Sequence, residues 1–139
     1  MAMCKVSSSV HFMRSVGSAR EGAAHWVPNT DVYVTDNGLV VKVELAGMRS
    51  EHLEITVEGN RLRIRGNRPD GCRAAKCNFL VMEINYGPFE SELEVPPGYD
   101  LSQAKAAYLN GFLRIDVPVV ARPPKNTKVP IAKGSPSLI

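Results

Sequence analysis

Read for where its apolar side chains fall, the chain changes grammar at Pro28. Before it, Val, Phe and Met are scattered among Ser, Gly and Ala with no sustained period, which predicts a flexible arm over residues 1–27. The spacing over residues 10–18 is compatible with a short helix, although Gly17 and the serines work against one. After Pro28, short β-branched and apolar runs alternate with Gly, Asn and Pro, the pattern of a β-sandwich or barrel.

Turn chemistry divides those runs into strands. Residues 31–35 (DVYVT) and 39–45 are joined by Asp36-Asn37-Gly38, residues that tolerate positive φ. After the break at Ala46-Gly47-Met48, Leu53, Ile55 and Val57 alternate with Glu54, Thr56 and Glu58, so three apolar side chains share one face. Gly59-Asn60 is a hairpin signal, and Leu62 and Ile64 then alternate with Arg61, Arg63 and Arg65. Residues 66–77 turn to Asn, Arg, Pro, Asp, Gly and Lys, a long excursion that suggests a functional extension. Apolar residues return over 79–84, followed by Tyr86-Gly87-Pro88, a strand over 89–95 and the stop Pro96-Pro97-Gly98. Two last strands, 104–109 and 112–117, flank Asn110-Gly111, the strongest short turn signal in the chain.

The remainder, ARPPKNTKVPIAKGSPSLI, holds four prolines and few large residues, which predicts an extended tail over residues 120–139. Within it Val129 and Ile131 flank Pro130. Residues two apart in an extended chain point the same way, so the pair forms one apolar plug.

Composition narrows the class of function. With 139 residues there is room for one domain, and a hydrophobic fraction of 44% with 22% charged residues suits a packed core without disulfides. No run of about 20 apolar residues and no secretory h-region is present, so a cytoplasmic protein without stable membrane association is expected. The net charge of +3 is mild and spread, which gives no footprint for nucleic acid. Cys4, Cys72 and Cys77 match no zinc or redox spacing and read as reduced thiols, with a Cys72–Cys77 redox pair as the alternative. His11, His25 and His52 show no ligand spacing, and the glycines sit singly at turns rather than in a phosphate loop. No metal, cofactor or catalytic group is expected; Cys77 with His52 and an Asp is a conceivable nucleophilic site, but no motif supports that geometry.

In order along the chain stand P-N-T-D-V-Y from Pro28, E-L-A-G-M from Glu44, two short hairpins, N-F-L-V-M-E-I-N-Y-G-P-F from Asn78, V-P from Val95, A-x-L-N-G-F-L from Ala107 and V-P-I at Val129. Together they resemble the small heat-shock proteins with an alpha-crystallin domain, of the bacterial and plant type. Phe112 stands where the family signature has valine, Met82 and Ile84 flank Glu83 where many relatives have arginines, and Ser91 replaces a frequent arginine.

The resemblance implies an immunoglobulin-like β-sandwich over residues 28–119, between the flexible arm and the extended tail. It implies that Phe79, Leu80, Val81, Met82, Glu83 and Ile84 form a strand exchanged between two subunits. It also implies that Val129, Pro130 and Ile131 dock on a neighbouring dimer, in a groove bordered by Leu53, Ile55 and Val57 on one strand and Ala104, Ala106 and Tyr108 on another. The function implied is that of an ATP-independent holdase, a homo-oligomer that keeps partly unfolded proteins from aggregating under heat or other stress. Val10, Phe12, Met13, Val16 and Trp26 are the candidate client-binding residues, since flexible, Met-containing apolar segments repack against many shapes. A co-chaperone sandwich of the p23 type is the alternative; it would lack the exchanged strand and the tail plug.

Overall fold

The computed structural model describes residues 14–15, 26–70, 76–121 and 128–134. Among these residues eight strands follow one another: β1 (Arg14–Ser15), β2 (Thr30–Thr35), β3 (Gly38–Glu44), β4 (Leu53–Glu58), β5 (Arg61–Arg68), β6 (Gly87–Glu94), β7 (Lys105–Leu109) and β8 (Phe112–Pro118). They pair antiparallel into two four-stranded sheets, in the orders β1-β6-β5-β4 and β2-β3-β8-β7. Helix is confined, among the described residues, to the single 3-10 turns Ser50–His52 and Leu101–Gln103. The all-β sandwich expected from the sequence is the fold observed.

The core follows from strict alternation. Leu39, Val41 and Val43 of β3 and Leu113, Ile115 and Val117 of β8 point inward from one sheet, and Leu62, Ile64, Phe89 and Leu93 point inward from the other. Each such side chain contributes roughly 1.5–3 kcal/mol when fully buried. The β7–β8 turn is the two-residue turn that Asn110-Gly111 predicts, with φ of 52° and 82°, values at which Gly is free and Asn is the least penalised side chain.

Two readings need correction. β5 continues through Gly66 and Asn67 to Arg68, where composition suggested the excursion had begun. β6 starts at Gly87 and pairs with all eight residues of β5, so a complete ladder overrides weak strand propensity. Gly66 has a positive reason to be there: a Cβ would lie 2.5 Å from Cζ of Phe89 and 2.6 Å from the His52 carbonyl oxygen, so its bare backbone lets the Phe89 ring cross the strand. Second, within the segment read as compatible with helix, Arg14–Ser15 is a strand, paired with Leu93 and Glu92 at the edge of β6. Residues 79–84 pair with no strand of their own chain and lie exposed between β5 and β6, and the exchange expected of them involves a second subunit.

Candidate functional site

One side of the sandwich does not close. β4 and β7 are the end strands of their sheets, and each presents inward-facing side chains that the opposite sheet fails to cover. Val57 faces Leu62 across the ladder and Ala106 faces Ile115; the partners are fully buried, yet Val57 is 45% exposed and Ala106 is exposed as well. Leu53, Ile55, Ala104 and Tyr108 are half-buried against the core and form the floor. The structure therefore brings all six residues of the sequence-predicted groove to one open edge. The alanines keep it shallow on the β7 side, because a methyl group cannot reach across to β4.

Tyr108 fixes one end of this edge. Its hydroxyl donates to the Leu45 carbonyl at 2.6 Å and accepts from the Met48 N–H at 3.3 Å, tying β7 to the connection between the sheets. Both are buried or half-buried groups, so the tyrosine is a rigid wall and not a mobile lid. At the other end, beyond Val57, a depression of about 510 Å³ opens between the β4–β5 turn and residues 95–102, lined by Val57, Val95, Pro97, Tyr99, Asp100 and Leu101 among others. Sequence reasoning missed it. The run V-P-P-G-Y-D was legible as a strand stop but carried no sign of facing β4.

The plug stands away from the body. Val129 is 78% and Ile131 96% exposed, and the residues around them, 128–134, are exposed throughout. A second apolar surface lies between β5 and β6, where Phe79, Leu80, Val81, Met82 and Ile84 are all exposed and Leu80 is 98% so. The base of that segment is held by Arg68, whose Nε donates to the Asn85 carbonyl at 2.7 Å and whose guanidinium lies over the rings of Trp26 and Tyr86 at 4.3 and 5.7 Å. Trp26 in turn packs on Phe89, ring centroids 5.1 Å apart, and donates its indole N–H to the Gly87 carbonyl at 3.0 Å. Of the candidate client-binding residues, Trp26 is thus engaged with the domain; Val10, Phe12, Met13 and Val16 lie outside the described residues. Cys77 is exposed, and Cys4 and Cys72 also lie outside.

The outer face of the β1-β6-β5-β4 sheet is a ladder of opposite charges. Arg63 reaches Glu92 at 3.0 Å and Glu90 at 3.2 Å, Arg61 reaches Glu92 at 3.4 Å, and Arg65 reaches Glu54 at 3.4 Å. The hydrogen bond and charge of Glu92 raise the Arg63 pKa above its ordinary value. On the other sheet Arg114 forks onto Asp116 and lowers that carboxyl's pKa. The arginine alternation was visible in the sequence; its match with Glu90, Glu92 and Glu94 needs the β5–β6 register. No helix among the described residues is long and apolar enough to cross a membrane.

Comparison with known proteins agrees with this architecture. Residues 31–132 match the family model described as Hsp20/alpha crystallin family. The chain is 28% identical over 92 residues to small heat shock protein C2 of Rickettsia felis, an alignment that covers 66% of this chain and 60% of that protein, so the chain spans less than two thirds of that relative's length. Among solved structures, a small heat-shock protein from Xylella fastidiosa, described as having a distinct high order structure, superposes with a TM-score of 0.67 at 27% identity, covering 81% of this chain and 100% of that one. The hspA protein of Xanthomonas axonopodis gives a TM-score of 0.64 at 30% identity, over 70% of this chain and 97% of that one.

Proposed function

Because the chain belongs to the Hsp20/alpha crystallin family, whose members act in general as chaperones and not as enzymes, we propose that it is an ATP-independent holdase that binds partly unfolded polypeptides and prevents their aggregation. The observation that carries this reading is the open edge. The folded sandwich leaves inward-facing Val57 and Ala106 uncovered while an aliphatic plug, Val129 and Ile131, stands exposed on the same chain. Patches of that kind mark interaction sites in soluble proteins. Holding a client requires no bond to be made or broken. It requires apolar surface that is masked at rest and uncovered on stress.

The mask in this proposal is the protein itself. Val129, Pro130 and Ile131 of one subunit lie in the Leu53, Ile55, Val57, Ala104, Ala106 and Tyr108 groove of another. Exposed residues 79–84 add as a strand to β2 of a partner. β2 is the end strand of its sheet, with its outer backbone edge unpaired by the other strands described, and backbone pairing there does not depend on the arginines this chain lacks. Many weak tails acting together hold an oligomer through effective concentration while each remains free to leave. Client contact then falls to the uncovered grooves and to Val10, Phe12, Met13 and Val16. A soluble cytoplasmic location, without nucleic acid, cofactor or nucleotide, belongs to the same reading.

The test is heat-induced aggregation of a model client, followed by light scattering with no nucleotide present. Suppression near equal mass ratio supports the holdase. Unaltered client aggregation across the temperatures at which the client unfolds removes it, and a strictly monomeric particle alongside would favour a p23-type interaction module.

A further inference from the structure

Building on the tail–groove docking just proposed, we infer that the Val57 end of the groove is a lysine-binding subsite in which Asp100 receives Lys133 from the tail of a second copy, and that this pairing fixes the direction in which the tail lies. In an extended chain, residues two apart face the same way, so Val129, Ile131 and Lys133 form one row: two aliphatic side chains followed by a cation. A groove that takes the first two must find a place for the third about 7 Å further on.

The depression beyond Val57 supplies that place. Its walls, Val57, Val95, Pro97, Tyr99 and Leu101, suit the four-carbon stem of a lysine, which readily lies along apolar surface while its ammonium reaches a polar rim. On that rim Asp100 accepts hydrogen bonds through Oδ1 from the N–H and the hydroxyl of Ser102, and among the described residues no cation pairs with it. The acids at the opposite end of β4 are already matched, Glu54 with Arg65 at 3.4 Å and Glu51 with Arg49 at 3.8 Å. Charge complementarity therefore places Lys133 at the Val57 end and the tail parallel to β4.

That direction points to another copy as the source of the tail. Beyond β8, Val119 bridges Tyr99 and the Val120 N–H donates to the Gly98 carbonyl at 2.9 Å, so each chain's own tail departs beside this same depression. Entering its own groove from there, it would lead with Val129 and carry Lys133 to the far end. A tail arriving from a neighbour has no such constraint.

The full-length chain tests this through subunit exchange between two labelled populations. Lys133→Gln removes the cation from an exposed tail residue, and Asp100→Asn removes the charge while keeping a side chain that caps the Leu101–Gln103 turn. Each single change should raise the exchange rate about two- to five-fold per tail, the range for a partly exposed ion pair, and the double variant should go no further than either single. Two independent, additive effects, or no effect of Lys133→Gln, would overturn the subsite. Direction is read by trans disulfides in a chain whose native cysteines are replaced by serine: Lys133→Cys should cross-link to Ser102→Cys and not to Glu51→Cys, and the reverse pattern overturns it. The Val129→Gly, Ile131→Gly chain separates the two claims. If it dissociates the assembly while Lys133→Gln has no effect, only the subsite fails; if it leaves the assembly intact, the docking reading fails with it.

Discussion

Replacing Val129 and Ile131 together by glycine should reduce the assembly toward dimers without touching the sandwich. With 78% and 96% of their surfaces exposed in the chain, nearly all of both side chains is available for burial, about 1.5–3 kcal/mol each and about 3–6 kcal/mol together. Docking orders the backbone of Val129, Pro130 and Ile131 at roughly 1–2 kcal/mol per residue, less at the proline, or about 2–5 kcal/mol in all. Gain and cost nearly cancel, so a single tail binds weakly and only its aliphatic side chains keep the balance favourable. Glycine removes the gain and adds freedom to be lost, and multivalency amplifies the deficit across every tail. Size-exclusion chromatography with light scattering reads the mass, and far-UV circular dichroism checks that β content is intact. An unchanged particle mass would refute the reasoning.

Other substitutions test the body of the fold. Gly66→Ala forces a methyl group into the Phe89 ring and the His52 carbonyl, an overpacking that should cost about 1–3 kcal/mol and appear as a lower melting temperature by calorimetry. Ser91→Ala should do the opposite: Ser91 is 2% exposed and among the described residues its hydroxyl has no hydrogen-bond partner, so alanine relieves a desolvated polar group worth roughly 1 kcal/mol or more. Asp116, its pKa lowered by the hydrogen bond and charge of Arg114, should titrate below the ordinary aspartate range in a carboxyl-carbon NMR titration, and Arg114→Ala should move it back up. Because the folded pKa is the lower one, the small stabilisation is present above the unfolded aspartate pKa and fades as pH falls through the folded value, screened by exposure.

How much of this was legible in the sequence depended on how local each cause was. Period-two alternation in Leu53, Ile55 and Val57, and turn chemistry at Asn110-Gly111, are properties of a few adjacent residues, and both strands appeared where expected. The extension of β5 through Gly66, Asn67 and Arg68 depends on β6, about twenty residues away, and on a ring that needs a glycine beneath it. No local signal announces that. The same holds for the groove: its residues could be named from a resemblance, but that Val57 and Ala106 stay uncovered opposite buried partners is a property of two sheets meeting. Arg68 looked like loop composition and is instead the clamp on Trp26, Tyr86 and Asn85. Asp100 looked like turn chemistry alone, because nothing near it in the chain shows that it borders β4.

The most direct test mixes unlabelled and isotopically labelled chains with a heat-denatured client, without nucleotide, and weighs the products by native mass spectrometry. The account predicts assemblies of mixed isotopic composition and a population carrying client. A single particle that neither mixes its subunits nor retains denatured polypeptide would contradict it.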